Sequence, residues 1–229
     1  MEQHDPRPLK RHFDRELKDL KNRILRMGGT VEDLIVRAIE ALRNRERSLA
    51  AEALRIEEEI DAEEVQIEED CLKLIALYQP VAGDLRFIAA VLKINSELER
   101  MGDLAVHIAE RARDLAGDGE WNVPTDLHRM STGVQHMVRT SLESLVNHDS
   151  ELAMQVMRAD DAVDEHHSRM FELVSEELQK NPQDVGRLLQ LLSVSRHLER
   201  IADSATNIAE DVYYLVEGEI IRHRAAITD

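Results

Sequence analysis

Eight acidic residues of this chain form four pairs, and in each pair the second acid follows the first by four positions. At about 100° per residue, this spacing places both carboxylates on one face of a helix, one turn apart. Carboxylate oxygens in such an arrangement suit hard cations such as Mg²⁺, Ca²⁺, Mn²⁺ or iron. The pairs are Glu57 with Asp61, Glu99 with Asp103, Asp160 with Asp164, and Glu199 with Asp203.

The acid pairs fall on the apolar side of their helices. Around Glu99, a helical wheel places Ile88, Leu92 and Val106 within about 20°. The wheel therefore predicts carboxylates that face the core of the protein. A buried, unpaired carboxylate is destabilising. Three things could offset this cost: a basic side chain that reaches in, a proton that is taken up at a raised pKa, or a bound cation.

A single acid pair in a chain with 46 acidic residues is most often part of a solvated helix face. These pairs, however, occur at matching positions in both halves of the chain, which favours binding of a metal or polyvalent cation. Two pairs on adjacent helices would supply four carboxylates around one point, a common way to build a metal site in a bundle. Glu64 and His167 lie in line with the pairs and are candidate additional ligands, although such residues more often lie on a plain helix surface.

The residues that interrupt helices are few, and they divide the chain into six helical segments. The breaks are indicated by proline and glycine at residues 80–83, 117–124 and 182, and by polar stretches around Asn44 and Asn147. The predicted helices are residues 9–45, 48–78, 84–116, 125–147, 150–180 and 184–222.

Two consecutive glycines, Gly28 and Gly29, fall inside the first predicted helix. Each glycine costs about 1 kcal/mol against alanine within a helix. The pair therefore indicates either a kink or the close packing of a neighbouring helix, and the sequence does not decide between them.

The two halves of the chain repeat each other. Residues 84–110 align with residues 184–210 without gaps, and ten of the 27 positions are identical. A repeat of about 100 residues with three helices in each copy predicts two tandem three-helix bundles. The first would cover residues 1–118 and the second residues 119–229, joined near the glycines at 117 and 119.

Composition and charge exclude several classes of protein. A net charge of −17 over 229 residues argues against nucleic acid as a partner, since that requires a basic surface. With only 9 Gly and 5 Pro and an abundance of strong helix formers, the composition predicts an all-α fold. The longest apolar run, residues 87–92, is too short to cross a membrane. The N-terminus shows no secretory signal and Cys71 is the only cysteine, so we expect a soluble, cytoplasmic protein.

Two nearly identical motifs carry a resemblance to a known family. They are Leu-Glu-Arg-Met-Gly-Asp-Leu-Ala-Val-His-Ile-Ala-Glu at residues 98–110 and Leu-Glu-Arg-Ile-Ala-Asp-Ser-Ala-Thr-Asn-Ile-Ala-Glu at residues 198–210. With Tyr-Gln-Pro-Val-Ala-Gly-Asp-Leu-Arg at residues 78–86 and the tandem repeat, the chain resembles the PhoU family, bacterial regulators of phosphate uptake and phosphate-responsive signalling. The resemblance extends from about Phe13 to Val216.

The resemblance implies two tandem three-helix bundles that bind metal clusters of iron or zinc. The ligands that it implies are Glu57 and Asp61 with Glu99 and Asp103, and Asp160 and Asp164 with Glu199 and Asp203. It also implies a non-enzymatic regulator, which restrains the ATPase subunit of a phosphate transporter and a phosphate-sensing histidine kinase when phosphate is plentiful. A homodimer is the default expectation for its assembly.

Two other functions stay open at the level of the sequence. A metal-free helical scaffold or adaptor would hold its acids protonated or paired with arginine. A carboxylate di-iron enzyme of the ferritin-like kind would use Glu-x-x-His motifs from a four-helix bundle, and the sequence contains no such motif. A glycine-rich nucleotide-binding loop is also absent from the sequence, so direct nucleotide binding is not expected.

Overall fold

Six α-helices form the protein in this computed structural model, which describes residues 7–45, 48–116 and 122–221. These ranges contain no β-strand, so the predicted all-α fold is confirmed. The helices are α1 (Arg7–Asn44), α2 (Ser48–Tyr78), α3 (Ala82–Leu115), α4 (Thr125–Asn147), α5 (Ser150–Lys180) and α6 (Val185–Glu217).

The helix ends follow from the residues that occupy them. The helix α5 begins after Asp149, whose carboxylate accepts hydrogen bonds from the backbone N–H groups of Glu151 and Leu152 at 2.9 and 3.1 Å. The helix α6 ends at Glu217, earlier than the predicted residue 222. The reason is Gly218, which adopts the left-handed conformation with φ of 77° and closes the helix.

Close packing, and not a kink, explains the glycine pair of α1. The helix continues through both glycines without a break. A Cβ atom added to Gly28 would lie 2.6 Å from Cδ2 of Leu142 on α4, whereas one added to Gly29 would meet nothing within 4 Å. The first glycine therefore lets α4 approach α1, and the second faces open space.

The helices pack as two sets of three that meet along α3 and α6. Within each set the three helices contact one another, and α1 also touches α4. Lys93 of α3 contacts Asp211 of α6, while Arg111, further along α3, contacts Gln190 near the start of α6. The two central helices therefore run antiparallel. The joint near residues 117–121 lies outside the described residues, so the boundary between residues 118 and 119 stays a prediction.

The residues shared by the two repeat motifs divide into core and surface positions. Leu98, Leu198, Ile108 and Ile208 are fully buried, at 0% exposure. Their burial removes apolar area from water and so stabilises the packing of each central helix in its own bundle. None of the described helices combines the length and the apolar character needed to cross a membrane.

Candidate metal centre

In the first repeat, the structure brings two acid pairs together across the interface between α2 and α3. Glu57 and Asp61 lie on α2, and Glu99 and Asp103 lie on α3. The charges of Asp61 and Asp103 act on Glu57 and raise its pKa, and the charges of Asp61 and Glu57 both act on Glu99. These four carboxyl groups are called the first cluster.

The second repeat places its acid pairs in the same way, between α5 and α6. Asp160 and Asp164 lie on α5, and Glu199 and Asp203 lie on α6. The charges of the other three act on Asp160, and Asp164 also acts on Glu199 and Asp203. These four form the second cluster, at positions equivalent to those of the first.

The clusters lie at the edges of the helix interfaces, so the predicted core-facing orientation holds only in part. Asp61 and Asp164 are exposed, and the other six acids are only partly buried. On α3, the core is formed around Leu98 and Met101, which lie about 100° and 160° from Glu99 on the helix. The apolar side of α3 is wide because this helix packs against α1, α2 and α6. The wheel identified the margin of that side and not its centre.

Burial and mutual repulsion raise the pKa of several cluster acids. Desolvation is the largest cause for Asp160, and the charges of Asp164 and Asp203 add to it and raise the pKa to about 7. The same causes raise the pKa of four others: Glu57, Glu99, Glu199 and Asp203. Oδ1 of Asp160 is shielded from solvent and has no hydrogen-bond partner within the described residues. A cation between the carboxylates would relieve the repulsion and bind this oxygen.

The donor atoms of both clusters suit a hard cation, since they are carboxylate oxygens. As the side chains are placed, however, no three His, Cys, Asp or Glu residues of the described ranges form a group that could hold an ion. Rotation of the carboxylate side chains would be needed to complete a ligand shell. The donor types and the unpaired oxygen of Asp160 fit a metal, and the ligand roles of the eight acids stay a prediction.

Glu64 and His167, the candidate additional ligands, both lie beside a cluster. Glu64 lies near Glu99 and helps to raise its pKa, and His167 lies near Glu199. Nδ1 of His167 lies 2.7 Å from Oγ of Ser195, which fixes the orientation of the ring. The first cluster thus has one further carboxylate beside it, that of Glu64, while the second has an imidazole at its edge.

Two arginines that the helical wheel places about 100° from the acids lie close to the second cluster. The charges of Arg100 and Arg200 lower the pKa of Asp203, against the larger raising effects of burial and Asp164. Arg100 belongs to α3 and Asp203 to α6, so this interaction crosses between the repeats. A wheel drawn for one helix could not show it, because it depends on how α3 packs against α6.

Cys71 has the properties of a core residue. Its side chain is fully buried, and burial, the largest cause, raises the pKa of the thiol to about 12. The thiol therefore stays protonated near neutral pH, where the thiolate would be the nucleophile.

A family model described as the PhoU domain matches this chain twice, at residues 24–112 and 127–212. The two matches correspond to the two repeats. A phosphate-specific transport system accessory protein PhoU homolog of Aquifex aeolicus is 43% identical over 211 residues, which cover 92% of this chain and 95% of the relative. The homolog of Pseudomonas aeruginosa is 36% identical over 217 residues, 94% of this chain and 89% of the relative.

Solved structures show the same architecture. The crystal structure of PhoU from Pseudomonas aeruginosa superposes with a TM-score of 0.87 at 35% identity, and covers 90% of this chain and 100% of that one. The phosphate transport system regulatory protein PhoU from Streptococcus pneumoniae gives a TM-score of 0.84 at 29% identity, over 91% of this chain and 98% of that one. The repeats, the fold and the sequence agree, and this chain belongs to the PhoU family.

Proposed function

We propose that this protein is a non-enzymatic regulator of a phosphate transport system and that it binds metal ions in its two carboxylate clusters. The regulatory role is supported by its relatives, which are described as accessory or regulatory proteins of phosphate transport. Extensive coverage of both chains in these comparisons supports the transfer of this role to the whole protein.

The observation that carries metal binding is the duplication of the cluster. Each repeat places four carboxylates together at equivalent positions, and repulsion among them raises several of their pKa values. Two copies of such a costly arrangement are best explained by a ligand that offsets the repulsion. Following the family resemblance, we propose iron or zinc as the metal, with the eight acids as ligands.

The partners that we propose are the ATPase subunit of a phosphate transporter and a phosphate-sensing histidine kinase. The protein would hold both in a restrained state when phosphate is plentiful. It would act in the cytoplasm and form a homodimer. The net charge of −17 supports docking on basic surfaces of such partners, because complementary potentials steer association.

The metal proposal is tested by elemental analysis of the purified full chain, combined with anomalous scattering at the iron and zinc edges. The double variant Asp103→Ala/Asp203→Ala removes one ligand from each cluster and is expected to lose the metal. A matched control, Asp114→Ala/Glu172→Ala, removes two exposed acids that lie outside the clusters and is expected to keep it. Wild-type protein that binds neither metal would contradict the proposal.

The regulatory proposal is tested by co-purification of the full chain with the transporter ATPase subunit or the histidine kinase. We expect at least one stable complex, weakened by high salt because screening reduces the attraction between opposite charges. Blank results with both partners at low salt, from a folded protein, would reject the adaptor role.

A metal-free helical adaptor is the second candidate function. It is favoured by the absence, among the described residues, of three ligand side chains that converge on one point. In that case Asp160, whose pKa is raised, would bind a proton and not a metal ion.

A further inference from the structure

The surface along which α3 and α6 run antiparallel has two ends that correspond by the internal repeat. This surface is called the repeat seam. Each residue of α3 has an equivalent on α6 whose number is higher by 100. Because the two helices run antiparallel, a pair of residues in contact at one end of the repeat seam has an equivalent pair at the other end. At one end, Lys93 donates to Asp211 at 3.0 Å, and Asn207 donates to Glu97 at 3.0 Å. At this end, therefore, one acid is paired with a lysine and the other accepts a hydrogen bond from an amide.

At the opposite end of the repeat seam, both acids are replaced by basic residues. His197 stands where the first end has Glu97, and Arg111 stands where it has Asp211. His107 and His197 stack with ring centroids 5.3 Å apart and an angle of 18° between the planes. Nη1 of Arg111 donates to a neutral group, Oε1 of Gln190, at 3.1 Å.

Several cations meet at this end, which is called the basic end of the repeat seam. The charges of Arg111, Arg200 and Arg196 act on His197, together with His107. Arg196 directly precedes His197 and Arg200 follows it by about one turn of α6, while Arg111 follows His107 by about one turn of α3. A positive site in a chain with a net charge of −17 is a local feature that the overall composition does not predict.

Acidic groups neutralise this site only in part. Asp114 lies 3.8 Å from Nη1 of Arg111, and Arg113 competes for the same carboxylate at 3.3 Å. Glu199 and Asp203 interact with Arg196 and Arg200. Within the described part of the chain, however, neither Arg196 nor Arg200 forms a salt bridge with a carboxylate.

Polar groups at the basic end have unused hydrogen-bonding capacity. Nε of Arg111 and Nδ1 of His197 are shielded from solvent and have no hydrogen-bond partner among the described residues. Arg196 and His107 are exposed, so a ligand can approach from solvent. Guanidinium groups present N–H donors in a fork that matches the oxygens of a phosphate group.

We propose that the basic end of the repeat seam binds a phosphate-type oxyanion, with Arg111, Arg196 and Arg200 as the charged donors and the paired histidines as its floor. The ligand is either free orthophosphate or the phosphoryl group of a nucleotide, which share this chemistry. None of these five residues is a proposed metal ligand, and Arg196 and Arg200 lie beside the second cluster. It goes beyond the proposed regulatory function and does not rest on metal binding.

The test is a titration of inorganic phosphate into the full chain. Binding is measured by calorimetry and by changes in the NMR signals of the His107 and His197 rings. Chelator-treated protein is used at constant ionic strength, so that phosphate held by a metal does not contribute. We expect saturable binding that Arg111→Gln weakens about tenfold or more, since this variant removes a charged donor. Arg11→Gln is the control, because it removes the same charge from an exposed position on α1 and should leave the affinity within about twofold.

A second variant keeps the test independent of folding defects. His107→Asn with His197→Glu copies the Asn207 and Glu97 pair, which the other end of the repeat seam already accommodates. It is expected to keep its helical circular dichroism and to lose phosphate binding. A parallel titration with ATP distinguishes the sources: tighter binding that is lost in the same variants assigns the site to a nucleotide phosphoryl group. Absence of saturable binding by either ligand, or equal weakening by Arg111→Gln and Arg11→Gln, overturns the proposal.

Discussion

Asp160 is the residue on which burial and repulsion act most strongly within the clusters. Its pKa rises from 3.8 to about 7 in the folded protein, so between these values the native state binds a proton more tightly than the unfolded chain. The contribution of this group to stability is therefore lost as pH rises from about 4 to 7. Because Asp160 is only partly buried, solvent screening makes this loss smaller than the ~1.4 kcal/mol per pKa unit that a fully shielded group would give.

We predict that Asp160→Asn stabilises the metal-free protein at pH 8 and changes its stability little at pH 4. The amide cannot ionise, so the cost of a buried charge disappears at high pH. Urea unfolding of chelator-treated protein at both pH values measures the difference. Glu172→Gln, an exposed substitution on the same helix, serves as the control. A metal-free Asp160→Asn variant that is less stable than wild type at pH 8 would contradict this prediction.

Gly28 and Gly29 provide a matched pair for close packing. We predict that Gly29→Ala stabilises the protein by about 0.5–1 kcal/mol, since the site is open and alanine favours the helix. Gly28→Ala gains the same propensity but must displace Leu142, so it should be at least about 1 kcal/mol less stable than Gly29→Ala. The denaturant midpoints of the two variants measure the difference in stability. Equal midpoints would show that Leu142 of α4 can move aside without loss of stability.

Among the elements, α5 depends on a single side chain for its start. Asp149 satisfies two backbone N–H groups of the first turn. We predict that Asp149→Ala lowers the free energy of unfolding by about 1 kcal/mol. Asp149→Asn keeps the accepting oxygen and should cost much less, and thermal unfolding of the two compares them directly. Similar losses in both variants would assign the effect to charge and not to the cap.

The helices could be predicted closely because their boundaries depend on local residues. Breakers such as Pro80 and caps such as Asp149 act over one or two turns, and the sequence displays them directly. The missed end of α6 had a local signal too, in Gly218. The orientation of the acid pairs was not local in this way. It depends on how many neighbours α3 has, and only the packed molecule determines that number.

At the scale of the whole molecule, the internal repeat predicts two similar bundles but not how they meet. The motif around Glu99 and Glu199 is nearly the same in both copies, which made the eight candidate ligands easy to find. One difference between the copies lies at the repeat seam, where Arg111 of the first copy aligns with Asp211 of the second. Only the packing of α3 against α6 brings Arg111 to Gln190 and Asp211 to Lys93.

The stability of the whole molecule distinguishes a metal-binding regulator from a metal-free adaptor. A ligand that binds only the native state stabilises it by about 2.7 kcal/mol when its concentration is a hundred times its dissociation constant. For a chain of this size, about 2–4 °C of Tm corresponds to each kcal/mol. We therefore predict that a chelator lowers the Tm of metal-loaded wild-type protein by about 5–10 °C, measured by differential scanning calorimetry.

The double variant Asp103→Ala/Asp203→Ala separates loss of metal from other effects of the chelator. Its Tm should not respond to chelator, because each cluster lacks one of its four carboxylates. Without metal it should be at least as stable as wild type, since one repelling charge has been removed from each cluster. The control Asp114→Ala should respond to chelator as wild type does. A wild-type Tm that stays constant after metal removal would instead favour the adaptor, whose carboxylates are balanced by protons.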